Sequence, residues 1–142
     1  MNWEEFKNIF NEAEMIGDKL VIKKEIYKTL SYIKENYHFE ILKSITAVDL
    51  NDMGVELIYH LYNLEDEENF QVSVIVNNEA ESISSIFDSA VADEKEIYDL
   101  FGIKFIGNKE LKRLYMPESW EGHPLKKDYV ENDERLNWND KA

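Results

Sequence analysis

The sequence predicts an α+β fold, a two-layer domain in which helices pack on one face of a mixed, largely antiparallel sheet, followed by an extended C-terminal tail. Three observations carry this reading. Apolar residues recur at helical spacing near the start of the chain and again around residues 90–101, they alternate at strand spacing between those regions, and a late segment with both prolines fits neither period.

Trp3, Phe6, Phe10 and Ala13 fall at i, i+3, i+7 and i+10, which predicts a first helix ending near Gly17 as its C-cap. Leu20-Val21-Ile22 is a short strand. Ile26, Leu30, Ile33 and Tyr37 repeat at helical spacing, with Lys28, Lys34 and Glu35 on the other side, and form the second helix. From Phe39 to Leu50 the β-branched content rises, and Val55, Leu57, Tyr59 and Leu61 alternate after the turn Asn51-Asp52-Met53-Gly54, so two paired strands follow. A further strand runs from Phe70 to Val76 after the acidic loop Glu65 to Asn69, with Phe70, Val72, Val74 and Val76 on one face and Gln71, Ser73 and Asn77 on the other. One face of this sheet needs a cover, which the helices supply. A third helix spans about Ala90 to Phe101 and closes at Gly102.

At 142 residues the chain suits one domain with a real core, and we divide it into an α+β domain over residues 1–107 and an extended docking segment and tail over 108–142. Thirty acidic residues against sixteen basic ones give a net charge of -14, which repels nucleic acid and anionic lipid. With no cysteine, the chain forms no disulfide and holds no thiolate zinc site or Cys-ligated iron-sulfur cluster. The start MNWEEFKNIF is acidic and amphipathic, unlike a targeting peptide, and no window reaches the ~20 apolar residues of a membrane span. A cytoplasmic protein, soluble by itself and without direct membrane insertion, is expected.

The third helix concentrates acid at Asp93, Glu94, Glu96 and Asp99. At 100° per residue Ile97, Leu100 and Phe101 form its apolar face, Glu94 and Glu96 flank that face on opposite edges, and Lys95 and Asp99 point away. Such acid serves either as a solvated face complementing the helix dipole or as an edge meeting a cationic partner; a carboxylate metal site finds no histidine or second acidic cluster at ligand spacing. His38 opens a strand, His60 lies on the mixed face of another, and His123 sits in a turn before Pro124. No nucleophile motif, H-E-x-x-H pair or phosphate-cradling glycine loop accompanies them, so no catalytic residue is assigned.

From Gly107 to Tyr129 the chain carries five basic residues against four acidic ones, so positive charge is concentrated there while the remainder is acidic. Pro117 and Pro124 stiffen the stretch "YMPESWEGHPLKKDY", and Tyr115, Trp120 and Tyr129 supply aromatic anchors of the kind found at interface centres. The stretch is either such a docking strip or a cover folded back on its own sheet.

"DEKEIYDLFGIKF" and "LKRLYMPESWEGHPLKKDY", with the upstream "SITAVDL" and "ELIYHLYNL", resemble the signature of the complex I 30-kilodalton subunit family, the C-type subunit of NADH-quinone oxidoreductase, over roughly residues 20 to 129. The resemblance implies a non-catalytic subunit in the hydrophilic arm of a membrane-bound complex. It clamps a large catalytic subunit that forms the quinone site, or that carries nickel and iron in related energy-converting hydrogenases, beside a small iron-sulfur subunit. By the same resemblance this chain binds no cofactor; iron-sulfur clusters and nickel-iron or flavin belong to its partners. The matching residues are implied to form the subunit interface: Glu94, Glu96 and Asp99 of the acidic motif, Lys112 and Arg113 of the basic pair, and Trp120, His123, Pro124, Lys126, Lys127, Asp128 and Tyr129 of the strip.

Lys95 replaces the motif arginine, which keeps the charge but loses the bidentate fork, and Asn108-Lys109-Glu110 stands where His-Pro-Asp is expected. The ending "VENDERLNWNDKA" is shorter than the usual respiratory tail. The expectation is therefore a hydrogenase assembly, with respiratory NADH-quinone oxidoreductase as the alternative and a free-standing acidic metal-binding domain more remote.

Overall fold

The computed structural model describes residues 3–108. Helix α1 (Trp3–Ile9) leads into a hairpin of β1 (Glu14–Ile16) and β2 (Lys19–Ile22), followed by α2 (Ile26–Tyr37). Three long strands come next, β3 (Ile41–Asp49), β4 (Val55–Asn63) and β5 (Glu68–Val76), then β6 (Glu79–Glu81), α3 (Ala90–Phe101) and β7 (Lys104–Ile106). The α+β prediction holds.

The main sheet has five strands in the order β1-β2-β5-β4-β3. β3, β4 and β5 form the antiparallel meander that alternation predicts, whereas β2 runs parallel to β5, with Leu20 opposite Val72 and Ile22 opposite Val74. Leu57, Tyr59 and Leu61 of β4 lie in register with Val74, Val72 and Phe70, so one continuous apolar face forms. Phe6 of α1 and Ile26, Leu30 and Ile33 of α2 bury against it. Rings tie the two helices together: Phe6 and Phe10 stack at 4.7 Å, and Tyr32 meets Phe10 edge-on at 5.5 Å.

The first helix is shorter than its apolar stripe. It stops at Ile9, and Phe10 and Ala13 reach the core from a turn, held by Ala13 N–H donating to Phe10 O at 3.1 Å and by the Lys7 ammonium on the Ala13 carbonyl. Gly17 is thereby freed from capping; at φ 63° it takes the left-handed corner between β1 and β2. His38 also moves, from the opening of a strand to the left-handed end of α2 at φ 61°. Beside it the buried Asn63 amide donates to Tyr37 O at 3.2 Å, while Asn63 Oδ1 accepts from Glu65 and Asp66 N–H groups. One side chain thus closes a helix end and shapes the acidic loop.

A second, two-stranded sheet lies beyond what periodicity predicts. β6 and β7 pair in parallel, Ala80 opposite Phe105, with α3 as their crossover. Three residues per strand are too few for a periodic signal. Ala80, Ile83, Phe87, Ile103 and Phe105 bury with the main core and join this unit to it.

Gly54 sets the β3–β4 turn. Its φ of 109° lies where side chains are strained, and an added Cβ would stand 2.5 Å from Val76 O on β5. Gly54→Ala is expected to lower the free energy of unfolding by about 1–3 kcal/mol in urea titrations, without changing the far-ultraviolet spectrum.

Candidate functional site

Helix α3 carries the acidic motif, and its position is dictated at both ends. Gly102 turns left-handed at φ 80° and its N–H donates to Tyr98 O, closing the helix where predicted. At the start, Ser89 does not cap α3; its hydroxyl donates instead to Leu42 O of β3 at 3.1 Å. β3 is an outer strand, and the Asp93 carboxylate lies beside a second of its backbone groups, at Ile45. Ser89 thus occupies a backbone group of an edge strand, with Asp93 close to another.

Glu94 lies deepest. Its carboxylate is fully buried and accepts three hydrogen bonds: from Ser82 Oγ at 2.6 Å, from Ile83 N–H at 2.9 Å and from Asn108 Nδ2 at 3.0 Å. These donors come from the segment after β6 and from the residue after the turn that follows β7. Glu94 thus holds together the entrance and exit of the β6-α3-β7 unit. Burial raises its carboxyl above the ordinary range and outweighs the three donors, which pull the other way. Burial likewise raises Asp93, with the Glu96 charge adding to the effect. Below the helix lies the fully buried Tyr59, whose hydroxyl has no hydrogen-bond partner among the described residues. Burial pushes its phenol far up, and the charges of Glu94 and Glu81 add to the shift.

The expected disposition of acid around α3 is therefore corrected. Glu94 does not flank the apolar face at a border open to a partner; it faces this chain's own backbone and amides. Asp99 does not point away, since it is fully buried. The 100° projection assumes one packed face, but α3 is contacted by β3 and by β7, so a wider arc is interior. Glu96 alone among the four acids stays exposed, beside the half-buried Lys95. Among the described residues no group of three or more His, Asp or Glu is placed to hold a metal ion, so the metal-binding alternative has no cluster to rest on there. Lys112, Arg113, Trp120, His123, Pro124, Lys126, Lys127, Asp128 and Tyr129 lie outside the described residues, as does all of the segment assigned to 108–142 except Asn108. His60 shares a 3.0 Å hydrogen bond with Thr46 on the sheet face away from the helices.

Comparison with known proteins bears on what such a site serves. The family model described as "Respiratory-chain NADH dehydrogenase, 30 Kd subunit" matches residues 20–135. The chain belongs to this family. The NADH-quinone oxidoreductase C subunit of Moorella thermoacetica is 30% identical over 135 residues, covering 89% of this chain and 91% of that one. The corresponding C subunit of Trichlorobacter lovleyi is 35% identical over 122 residues, 80% of this chain and 75% of the relative. The NADH-quinone oxidoreductase C/D subunit of Phocaeicola vulgatus is 35% identical over 117 residues; the match takes in 80% of this chain but only 22% of that longer relative.

For a 30 kDa-subunit family member, the acidic motif thus has an inward-facing part and an exposed residue, Glu96. Of the side-chain partners of Glu94, Ser82 escapes sequence reading because neither spacing nor composition marks it, and Asn108 is marked only as a departure from the family motif. Glu94→Gln keeps the shape but turns an amide N–H toward a donor, and is expected to cost about 1–3 kcal/mol in urea unfolding at neutral pH. Because the folded carboxyl is raised above its unfolded value, the wild type gains stability from Glu94 as pH falls through the folded value. That gain is complete below the unfolded value of about 4.3 and is lost as pH rises through the folded value. The advantage of wild type over the glutamine variant is therefore expected to widen on acidification.

Proposed function

We propose that this protein is a non-catalytic scaffold subunit of a membrane-bound NADH-quinone oxidoreductase, equivalent to the C subunit of its relatives, and that it clamps the large subunit forming the quinone site. The observation that carries this reading is the near full-length similarity to the Moorella thermoacetica C subunit, with coverage balanced on both chains. The relatives named above are all quinone oxidoreductase subunits, which favours this assembly over the hydrogenase one. The designation C/D puts two subunits in one polypeptide in Phocaeicola vulgatus, with most of its length outside the match, and this supports a large direct partner.

Electron carriers then reside elsewhere. A chain without cysteine cannot ligate an iron-sulfur cluster by thiolates, so the clusters are assigned to neighbouring subunits, including a small iron-sulfur subunit, and the family resemblance assigns flavin to a partner as well. No helix among the described residues is long and apolar enough to cross a membrane; the proposed place is peripheral, on the cytoplasmic side. Docking falls to Glu96 and to the basic and aromatic strip from Lys112 and Arg113 through Trp120 to Tyr129. Glu94 and Asp99 support α3 from inside.

The test is copurification of the tagged full-length chain from detergent-solubilised native membranes. The wild type is expected to bring down a large subunit with flavin-bearing and iron-sulfur subunits, while the isolated chain shows no NADH oxidation. Trp120→Ala with Tyr129→Ala is expected to cut recovery of the large subunit about tenfold or more, as loss of central aromatic anchors does. A nickel-bearing partner would return the assignment to the hydrogenase type, and unchanged recovery would remove the strip from the interface.

A further inference from the structure

The sheet face turned away from the helices is the largest feature that the acidic motif and the strip leave unused. Apolar side chains stand out from it on several strands: Ile16 at 55% exposure, Ile41 at 40%, Val48 at 39% and Ile75 at 43%. The chain as a whole is 32% charged. Yet on this face the charged groups are few, and most are already engaged. Lys19 and Glu56 form an ion pair at 2.7 Å that reaches across the central strand, and Ser73 beneath it donates to the same Glu56 oxygen at 2.6 Å. These bonds to Lys19 and Ser73 hold the Glu56 carboxyl below its usual range. At one corner the Lys43 ammonium donates to Asn69 Oδ1 at 3.2 Å and lies 5.7 Å over the Tyr62 ring. Glu14 stands on the outermost strand.

We propose that this open sheet face is a second docking surface, and that its occupant is an uncharged, aliphatic surface of another subunit of the complex. The proposal rests on the subunit reading above and adds to it a surface on the opposite side of the sheet from the core helices. Interface centres are depleted of charge and filled by apolar side chains. Burial of a charge is tolerable only when its partners are already in place. Glu56 meets that condition with a cation and a hydroxyl from its own sheet, so covering it strands no charge. The chemistry also selects against other occupants. A second copy would bring two chains of net charge -14 together. Anionic lipid requires a cluster of unpaired cations, whereas Lys19 is neutralised by Glu56, Lys43 alone keeps its charge on this face, and the chain's net charge of -14 opposes an anionic surface.

The test repeats the membrane copurification with Val48→Lys plus Ile75→Lys, which flank Glu56 across the strands and add two ammonium groups beside a carboxylate already paired. Recovery of the partner subunits is expected to fall at least about tenfold. Asn8→Lys plus Asn11→Lys, exposed residues of α1 and the turn after it, should leave recovery unchanged. Val48→Thr plus Ile75→Thr keeps β-branched side chains should the charged pair fail to fold, and is expected to lower recovery by a smaller factor. Equal recovery by wild type and a folded lysine variant overturns this surface while leaving the subunit reading intact. A wild type that recovers no partner overturns both. Light scattering that finds a wild-type dimer and a monomeric lysine variant identifies a second copy as the occupant and overturns the proposal.

Discussion

One buried carboxylate organises the C-terminal part of this domain. Glu94 reaches from α3 to Ser82 and Ile83 on one side and to Asn108 on the other, so the segments before and after the helix share one acceptor group. Desolvating a carboxylate is expensive, and only this full set of donors makes it tolerable. The cost has a directional benefit. An apolar residue at position 94 would hold the helix down but would not specify where the chain leaves β7. With Asn108 fastened to Glu94, the chain's position just after β7 is fixed against α3.

The acidity of α3 accordingly divides by purpose. Asp93 is half-buried beside the edge strand, Glu94 binds the unit's two ends, Asp99 is interior, and Glu96 remains outside. A motif that reads as one patch of negative charge is mostly a set of internal fastenings. The two sides of the main sheet differ in the same way. One is an apolar bed for the helices, and the other carries a neutralised ion pair among scattered aliphatic side chains, suited to contact with a neighbour.

How much is legible in the sequence follows from how each element signals itself. The second and third helices and the three long strands are periodic over nine residues or more, and their predicted spans agree with the structure to within about three residues. Periodicity overextends the first helix because Phe10 and Ala13 stay buried after the helix ends, which spacing alone cannot detect. It misses β1, β6 and β7 because three residues carry no period. The site is legible as a set of residue types but not as a geometry. Helical projection places Glu94 on an edge, and only the packing of α3 between β3 and β7 turns it inward. Ser82 and Asn108 are ordinary polar residues until the fold brings them to the carboxylate.

The parallel pairing of β2 with β5 has a bearing on the order of events during synthesis. These strands join positions about fifty residues apart, such as Lys19 and Gln71, and loop closure over that distance comes late. Until Val76 has emerged, the β1–β2 hairpin and α2 have no place to settle, and Lys19 has no central strand over which to meet Glu56. The outward sheet face is therefore completed by the last long strand, and it is presented whole only once the residues up to Val76 have paired.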